Sequence, residues 1–325
     1  MASPIDVADA DLVDLRDRLA RTRWPEAETV DDWSQGIPLT YARELCDYWG
    51  HEYDWRATEA RLNAFGPHRT ELDGLGIHFL HVRSPEPNAL PLVMTHGWPG
   101  SIVEFHKVIG PLTDPVAYGA DAVDAFHVVC PSLPGYGWSD RPNRAGWKVP
   151  RIARAWAELM TRLGYDRYGA QGGDWGASVT TSIGEQDPEH VMGIHLNMVI
   201  ALPDPSMGEP DPRELDAIAS FTHYQKHESG YSTQQSTRPQ TLGYGLVDSP
   251  AGQAAFDRNI PSYGRAKGSA DAAAHPEEHI GRRRAQPPAL GNDTYGTCNP
   301  MGMPRAILYP DPVEFIALPA TDWPR

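Results

Sequence analysis

The chain has 325 residues, room for one large α/β domain with an inserted subdomain or for two ordinary domains. Hydrophobic residues make up 40% and aromatics 9%, and the mean hydropathy is -0.48, a composition that excludes disorder along the whole chain. The formal net charge of -15 argues against nucleic acid and against an anionic membrane surface, both of which the average field would repel, and favours a neutral small molecule as partner.

The elements follow in chain order. DLVDLRDRLARTRWP places Leu12, Leu15 and Leu19 on one helical face and closes at Pro25. Further helices are expected at residues 39 to 48 and 55 to 62, giving a helical leader over residues 1–70. From residue 71 the period changes to two: ELDGLGIHFLHVRS alternates Leu75, Ile77, Phe79 and His81, and PLVMTHG and AFHVVCPSLPG are short buried strands. SIVEFHKVIGPL and RIARAWAELMTRLG read as the helices between strands, RYGAQG as a further short strand, and VMGIHLNMVI as another. Strand alternating with helix predicts a mostly parallel sheet covered on both faces, occupying residues 71–202. Residues 203–255 turn polar, with one clear helix in DPRELDAIASFTHYQKHES, and are expected to form a cap over the site.

Residues 256–325 differ from all that precedes them. They hold ten prolines, six glycines, the run Arg282-Arg283-Arg284 and eight basic against eight acidic side chains, so the whole charge of -15 lies in the first 255 residues. A frame shift near residue 256 is the expected origin of this tail, and it predicts a sheet incomplete at its carboxy-terminal end, with marginal stability.

No apolar run approaches the ~20 residues needed to span a bilayer, and MASPIDVADADLVDLRDRLA is unlike a signal peptide. A cytoplasmic protein without a membrane anchor is expected. Cys46, Cys130 and Cys298 match neither a disulfide framework nor a zinc site, and no ligand cluster or phosphate-binding glycine loop implies a metal or organic cofactor.

Two motifs carry chemistry. GGDWG follows a short strand and precedes the amphipathic WGASVTTSIGEQ, the setting of a nucleophile elbow, in which Gly172 and Gly176 supply the small residues that a tight turn requires and Gly173 adjoins the reactive side chain. Read alone, Asp174 is a nucleophile or a helix N-cap. HGWPGS contributes His96, Gly97, Trp98 and Pro99 at the strand end where such folds supply an oxyanion donor. The backbone N–H groups of Trp98 and Trp175 are the expected pair. No Gly-x-Ser-x-Gly occurs, and a carboxylate nucleophile suits displacement at saturated carbon, so an epoxide oxygen or a halide is the leaving group.

With THGWPGS, PSLPGYGWSD, GGDWG and GIHLNM in order behind DLRDRLARTRWP and DDWSQGIPL, the chain resembles the microsomal-type epoxide hydrolases over about residues 5 to 255. The resemblance implies an α/β-hydrolase with an amino-terminal leader and inserted cap. It implies Asp174 as nucleophile and Tyr231, in HESGY, as the cap proton donor, acting on a small apolar epoxide and water in a detoxifying, ether-cleaving reaction. The family's catalytic histidine, its charge-relay carboxylate and its second cap tyrosine have no counterpart. His275, His279 and Glu314 are weighed for such roles and set aside. Impaired or absent turnover is therefore expected. A haloalkane or haloacid dehalogenase and a non-catalytic binding protein of the same fold are the alternatives.

Overall fold

The computed structural model describes residues 1–201, 208–258 and 307–308. The expectations for His275, His279, Glu314 and the origin of the tail lie outside the described residues.

Three helices open the chain, α1 (Asp9–Ala20), α2 (Leu39–His51) and α3 (Trp55–Asn63). Asp54 starts α3 by accepting the Ala57 N–H at 3.2 Å, as an N-cap should. The segment before α1 is tied down by Glu59, whose buried carboxylate accepts the Val7 N–H at 2.7 Å and the Trp55 indole N–H at 3.2 Å. Leu19, Cys46, Trp49, Tyr53, Trp55 and Leu62 bury a core here that also takes in Val103 and Ala251 from distant parts of the chain.

The segment expected as one alternating strand is a hairpin, β1 (Pro67–Leu72) and β2 (Leu75–Val82). Asp73 and Gly74 between them both have positive φ, 49° and 76°, the two-residue turn whose twist matches that of paired strands. Then follow β3 (Leu90–Thr95), α4 (Ile109–Thr113), β4 (Phe126–Pro131), α5 (Val149–Arg162), β5 (Tyr168–Gly172), α6 (Trp175–Gln186) and β6 (Val191–Leu196). SIVEFHKVIGPL, expected as one helix, is a single turn at Ile102–Phe105 followed by the short α4. Its β-branched residues favour helix weakly, and its backbone bonds across the break reach only three residues back, from the His106 N–H to the Val103 carbonyl at 3.3 Å and from the Val108 N–H to the Phe105 carbonyl at 3.0 Å.

The sheet order is β1-β2-β4-β3-β5-β6, with β1, β2 and β4 antiparallel neighbours and β4, β3, β5 and β6 parallel. Side chains alternate across it. Ile77, Phe79, Val93 and Val129 pack with Ile152, Trp156, Leu159 and Met160 of α5 and Val179 and Ile183 of α6, whereas Leu80, Met94, Val128 and Cys130 pack with Ile102, Phe105 and Ile109 on the other face. Each large apolar side chain buried this way contributes about 1.5–3 kcal/mol. β6 ends the sheet among the described residues, and all six of its residues are part-exposed.

Ile200–Ala201 pairs antiparallel with Ile307–Leu308. The polar excursion is more helical than its composition suggests: α7 (Pro212–His227), α8 (Gly230–Thr237), α9 (Pro239–Asp248) and α10 (Pro250–Arg258) follow one another. α7 opens with a capping box in which Asp211 accepts the Arg213 and Glu214 N–H groups while Glu214 accepts the Asp211 N–H. Prolines at the first turns of α9 and α10 set new helix starts, which is how one polar stretch becomes several short helices. Among the described residues no helix is long and apolar enough to cross a membrane.

Candidate active site

β3 and β5 are adjacent and parallel, with Thr95 in register with Gly172. The loops leaving their carboxy-terminal ends therefore meet, and ligands of open α/β sheets bind at such ends. This brings HGWPGS and GGDWG together although Trp98 and Asp174 are 76 residues apart.

Asp174 sits between β5 and α6 at φ 53°, ψ -126°, one of two non-glycine residues with positive φ among the described residues. A strained backbone of this kind costs about 1–3 kcal/mol and persists only where its surroundings over-determine it. Here they do: a Cβ on Gly172 would collide with the Gly176 backbone, and a Cβ on Gly176 with the Thr95 carbonyl. Backbone cannot move aside as a side chain can. Gly97 is equally constrained, since a Cβ there would overlap the Asp174 side chain itself. Gly173 is less so, meeting Asn197 Cβ at 3.3 Å.

Although Asp174 occupies the position before α6, its side chain makes no capping bond. Its Oδ1 instead accepts the Trp98 N–H at 2.7 Å, and the Trp175 N–H also donates to the carboxylate. Burial pushes the carboxyl up to about 6, with the two N–H donors pulling the other way. The carboxylate is thus held by two backbone donors and kept from full solvation, the condition of a poised nucleophile.

His96 is buried and structural. Its Nε2 accepts the Leu133 N–H at 3.1 Å, so the proton is on Nδ1, which lies 3.0 Å from the Gly97 carbonyl oxygen. The ring clamps the HGWPGS turn to the loop after β4. The Trp98–Pro99 peptide is cis.

Tyr231 lies near the start of α8. Its ring stacks on the Trp98 indole, with centroids 5.6 Å apart and planes at 8°, and its hydroxyl is 2.9 Å from the Tyr224 hydroxyl of α7. Phe256 of α10 meets the same indole edge-on at 5.8 Å. The structure therefore brings Trp98, Trp175, Asp174 and Tyr231 into one connected group, with Trp98 as the link: its backbone holds Asp174 and its ring holds Tyr231. Tyr224 and Phe256 were not among the residues singled out from the sequence. The seven-residue spacing of Tyr224 and Tyr231 is a usable signal, two helical turns, had α7 been read as running up to α8. Among the described residues no group of three or more His, Cys, Asp and Glu side chains could hold a metal ion.

The fold and the elbow define an α/β-hydrolase, and residues 91–227 match the model of the alpha/beta hydrolase fold. Residues 2–105 match the model described as Epoxide hydrolase N terminus. A "Putative epoxide hydrolase" of Stigmatella aurantiaca is 56% identical over 253 residues, 78% of this chain and 58% of that one. Epoxide hydrolase 1 of Oryctolagus cuniculus is 36% identical over 273 residues, covering 78% and 60%. The epoxide hydrolase structure of Aspergillus niger superposes with a TM-score of 0.79 at 28% identity, covering 92% of this chain and 79% of that one. The chain belongs to the epoxide hydrolase family. It spans about three-fifths of the length of the curated relatives it matches.

Proposed function

We propose that the site acts on a small apolar epoxide and water to give a vicinal diol through an ester on Asp174. The observation that carries this reading is the single residue Trp98 joining the two groups, its backbone N–H on the Asp174 carboxylate and its indole face on the Tyr231 ring. Oδ1 is held by the Trp98 N–H, which leaves Oδ2 as the oxygen that attacks the ring carbon. As the C–O bond to that carbon forms, the epoxide C–O bond breaks and the departing oxygen takes the Tyr231 proton. In the second half, water loses a proton to a base as it adds to the ester carbonyl carbon, and the negative charge falls on the oxygen facing the Trp98 and Trp175 N–H groups. Collapse breaks the bond from that carbon to the alkyl oxygen, which leaves with a proton as the second diol hydroxyl and returns Asp174 as a carboxylate. These roles account for each of the two donors, and the match of residues 2–105 to the epoxide hydrolase amino-terminal model agrees with the reaction class.

Release of the ester needs a base for water. His96 has both ring nitrogens committed to backbone groups. We propose that ester formation is a competent step of these residues and that release, for which His96 is not the base, is the slower one. Incubation with styrene oxide followed by peptide mass spectrometry tests both parts. Alkylated Asp174 with little diol is the expected result. Absence of both ester and diol overturns the function, and diol at many turnovers overturns only the slow release.

A further inference from the structure

The mechanism above leaves the Tyr224 hydroxyl without a role, although it lies 2.9 Å from the hydroxyl that mechanism uses. Tyr224 projects from the last turn of α7 and Tyr231 from the first turn of α8, so the pair spans a helix break that includes Glu228 and Ser229. Both rings are held independently. Tyr231 lies flat on Trp98, and Tyr224 stacks with Phe221 one turn earlier, at 6.5 Å and 19°. Two phenols fixed from separate supports at hydrogen-bond distance are an arrangement in which one can stabilise a charge change on the other.

We propose that Tyr224 is a positioning residue for proton donation by Tyr231: its O–H holds the Tyr231 hydroxyl and donates to the phenolate oxygen left once the proton has gone. The inference rests on the reading of Tyr231 as the proton donor. The balance is simple. The epoxide oxygen gains the Tyr231 proton, the carbon gains the Asp174 oxygen, and the negative charge that left Asp174 is now on Tyr231, where the Tyr224 O–H faces it. Tyr224 must keep its own proton for this. Burial pushes its phenol upward, the Tyr231 hydrogen bond pulls it back, and the charges of Asp174 and Glu228 push it up again. Asp174 and Glu228 are the charged groups acting on it, and both favour the protonated donor. Tyr224 does not touch the reacting atoms and acts through Tyr231.

The test follows the rate of Asp174 alkylation by styrene oxide, read by rapid-quench mass spectrometry on the full chain across pH. Tyr224→Phe is expected to slow alkylation about 10- to 100-fold, the range for one hydrogen bond to a charged group. In a Tyr231→Phe background the same change is expected to have no effect, because no phenolate remains to receive it. A rate for Tyr224→Phe equal to that of the unsubstituted chain overturns the proposal, and so does equal slowing in both backgrounds, which marks a packing role. A second measurement needs no chemistry. With 3-fluorotyrosine incorporated, the Tyr231 fluorine resonance, assigned by its loss in Tyr231→Phe, is expected to titrate at higher pH once Tyr224 is Phe. An unmoved midpoint overturns the proposal even in a chain that forms no ester. An unsubstituted chain that forms no ester, with the midpoint shifted as expected, instead places the failure in the proposed reaction and leaves the tyrosine pair standing.

Discussion

Asp174 and Tyr231 are held by different physics. Asp174 is fixed by backbone: a strained φ, glycines at 97, 172 and 176 that leave no room for a Cβ, and N–H donors from two loops of adjacent parallel strands. Tyr231 is fixed by side chains: an indole face, a phenol and, through Trp98, the edge of Phe256. Backbone constraint leaves a sequence signature, because glycine is the residue that satisfies it. Side-chain constraint leaves little, since many residues can stack or hydrogen-bond in the same place. The elbow should therefore respond to substitution almost as a switch, and the cap by degrees.

The largest effect is expected at Asp174. Asp174→Asn removes the attacking oxygen, and ester formation should fall at least about 10⁴-fold, as for other nucleophile deletions. The mass-spectrometric assay with styrene oxide reads this directly, and an alkylated chain of unchanged rate would remove the residue from the reaction. The same substitution separates chemistry from stability. The folded-state carboxyl is raised from 3.8 to about 6, so its contribution to stability is fully present below pH 3.8 and is lost as pH rises through about 6. At 1.36 kcal/mol per unit the loss is on the order of 3 kcal/mol. Asp174→Asn should accordingly melt higher than the unsubstituted chain at pH 8, and the gap should close toward pH 4. A gap of constant size would show that burial does not control this carboxyl.

The same shift predicts the acid limb of the reaction. Only the ionised carboxylate attacks, so alkylation should be flat from about pH 7 until the Tyr231 phenol loses its proton, and should fall about tenfold per unit below about 6. A limb placed near the ordinary carboxylate range would mean that the N–H donors outweigh burial.

Tyr231→Phe is the matching test on the cap side. It keeps the stack on Trp98 and removes only the hydroxyl, so the fold should be undisturbed while alkylation slows by about 10²-fold or more. If Asp174 is alkylated as fast as before, the departing oxygen takes its proton from elsewhere and the cap loses its proposed chemical part.

This division also explains what could be read from the residues alone. The elbow, the HGWPGS loop and the parallel order of β3 and β5 are stated by short motifs whose glycines meet a steric need. The hairpin at Asp73-Gly74 carried the same kind of signal, an Asp-Gly pair between alternating runs, but continuous alternation from Leu75 onward masked it. The cap was recognised as an excursion, yet Tyr224 and Phe256 went unmarked, because the contact of Tyr224 with Tyr231 depends on how α7 and α8 turn at residues 228 and 229, and that of Phe256 with Trp98 on where α10 lies. The break in SIVEFHKVIGPL likewise depends on backbone bonds closing at three residues in place of four, which the apolar pattern does not reveal.

The smallest effect is expected where the leader meets the cap. Arg18 of α1 donates from Nη1 to the carbonyl oxygen of Asp248 at 3.0 Å and to its carboxylate at 3.2 Å, at the end of α9, while its Nε holds Asp14 at 2.7 Å. This is the visible polar link between the first helix and the cap. Its side chains are open to water, Arg18 at 40% and Asp248 at 82%, so the ion pair is screened and contributes little. Ala251, three residues further on, is buried in the apolar cluster of Leu19, Trp49 and Trp55. If that cluster carries the attachment, Arg18→Ala should lower the melting temperature by no more than a few degrees, less still at high salt, and should leave the alkylation rate of Asp174 unchanged. A large side chain in place of Ala251 should cost several times as much and slow alkylation with it, since α10 also sets Phe256 against Trp98. Equal losses from the two substitutions would mean that a surface ion pair, and not the buried alanine, anchors the cap to the leader.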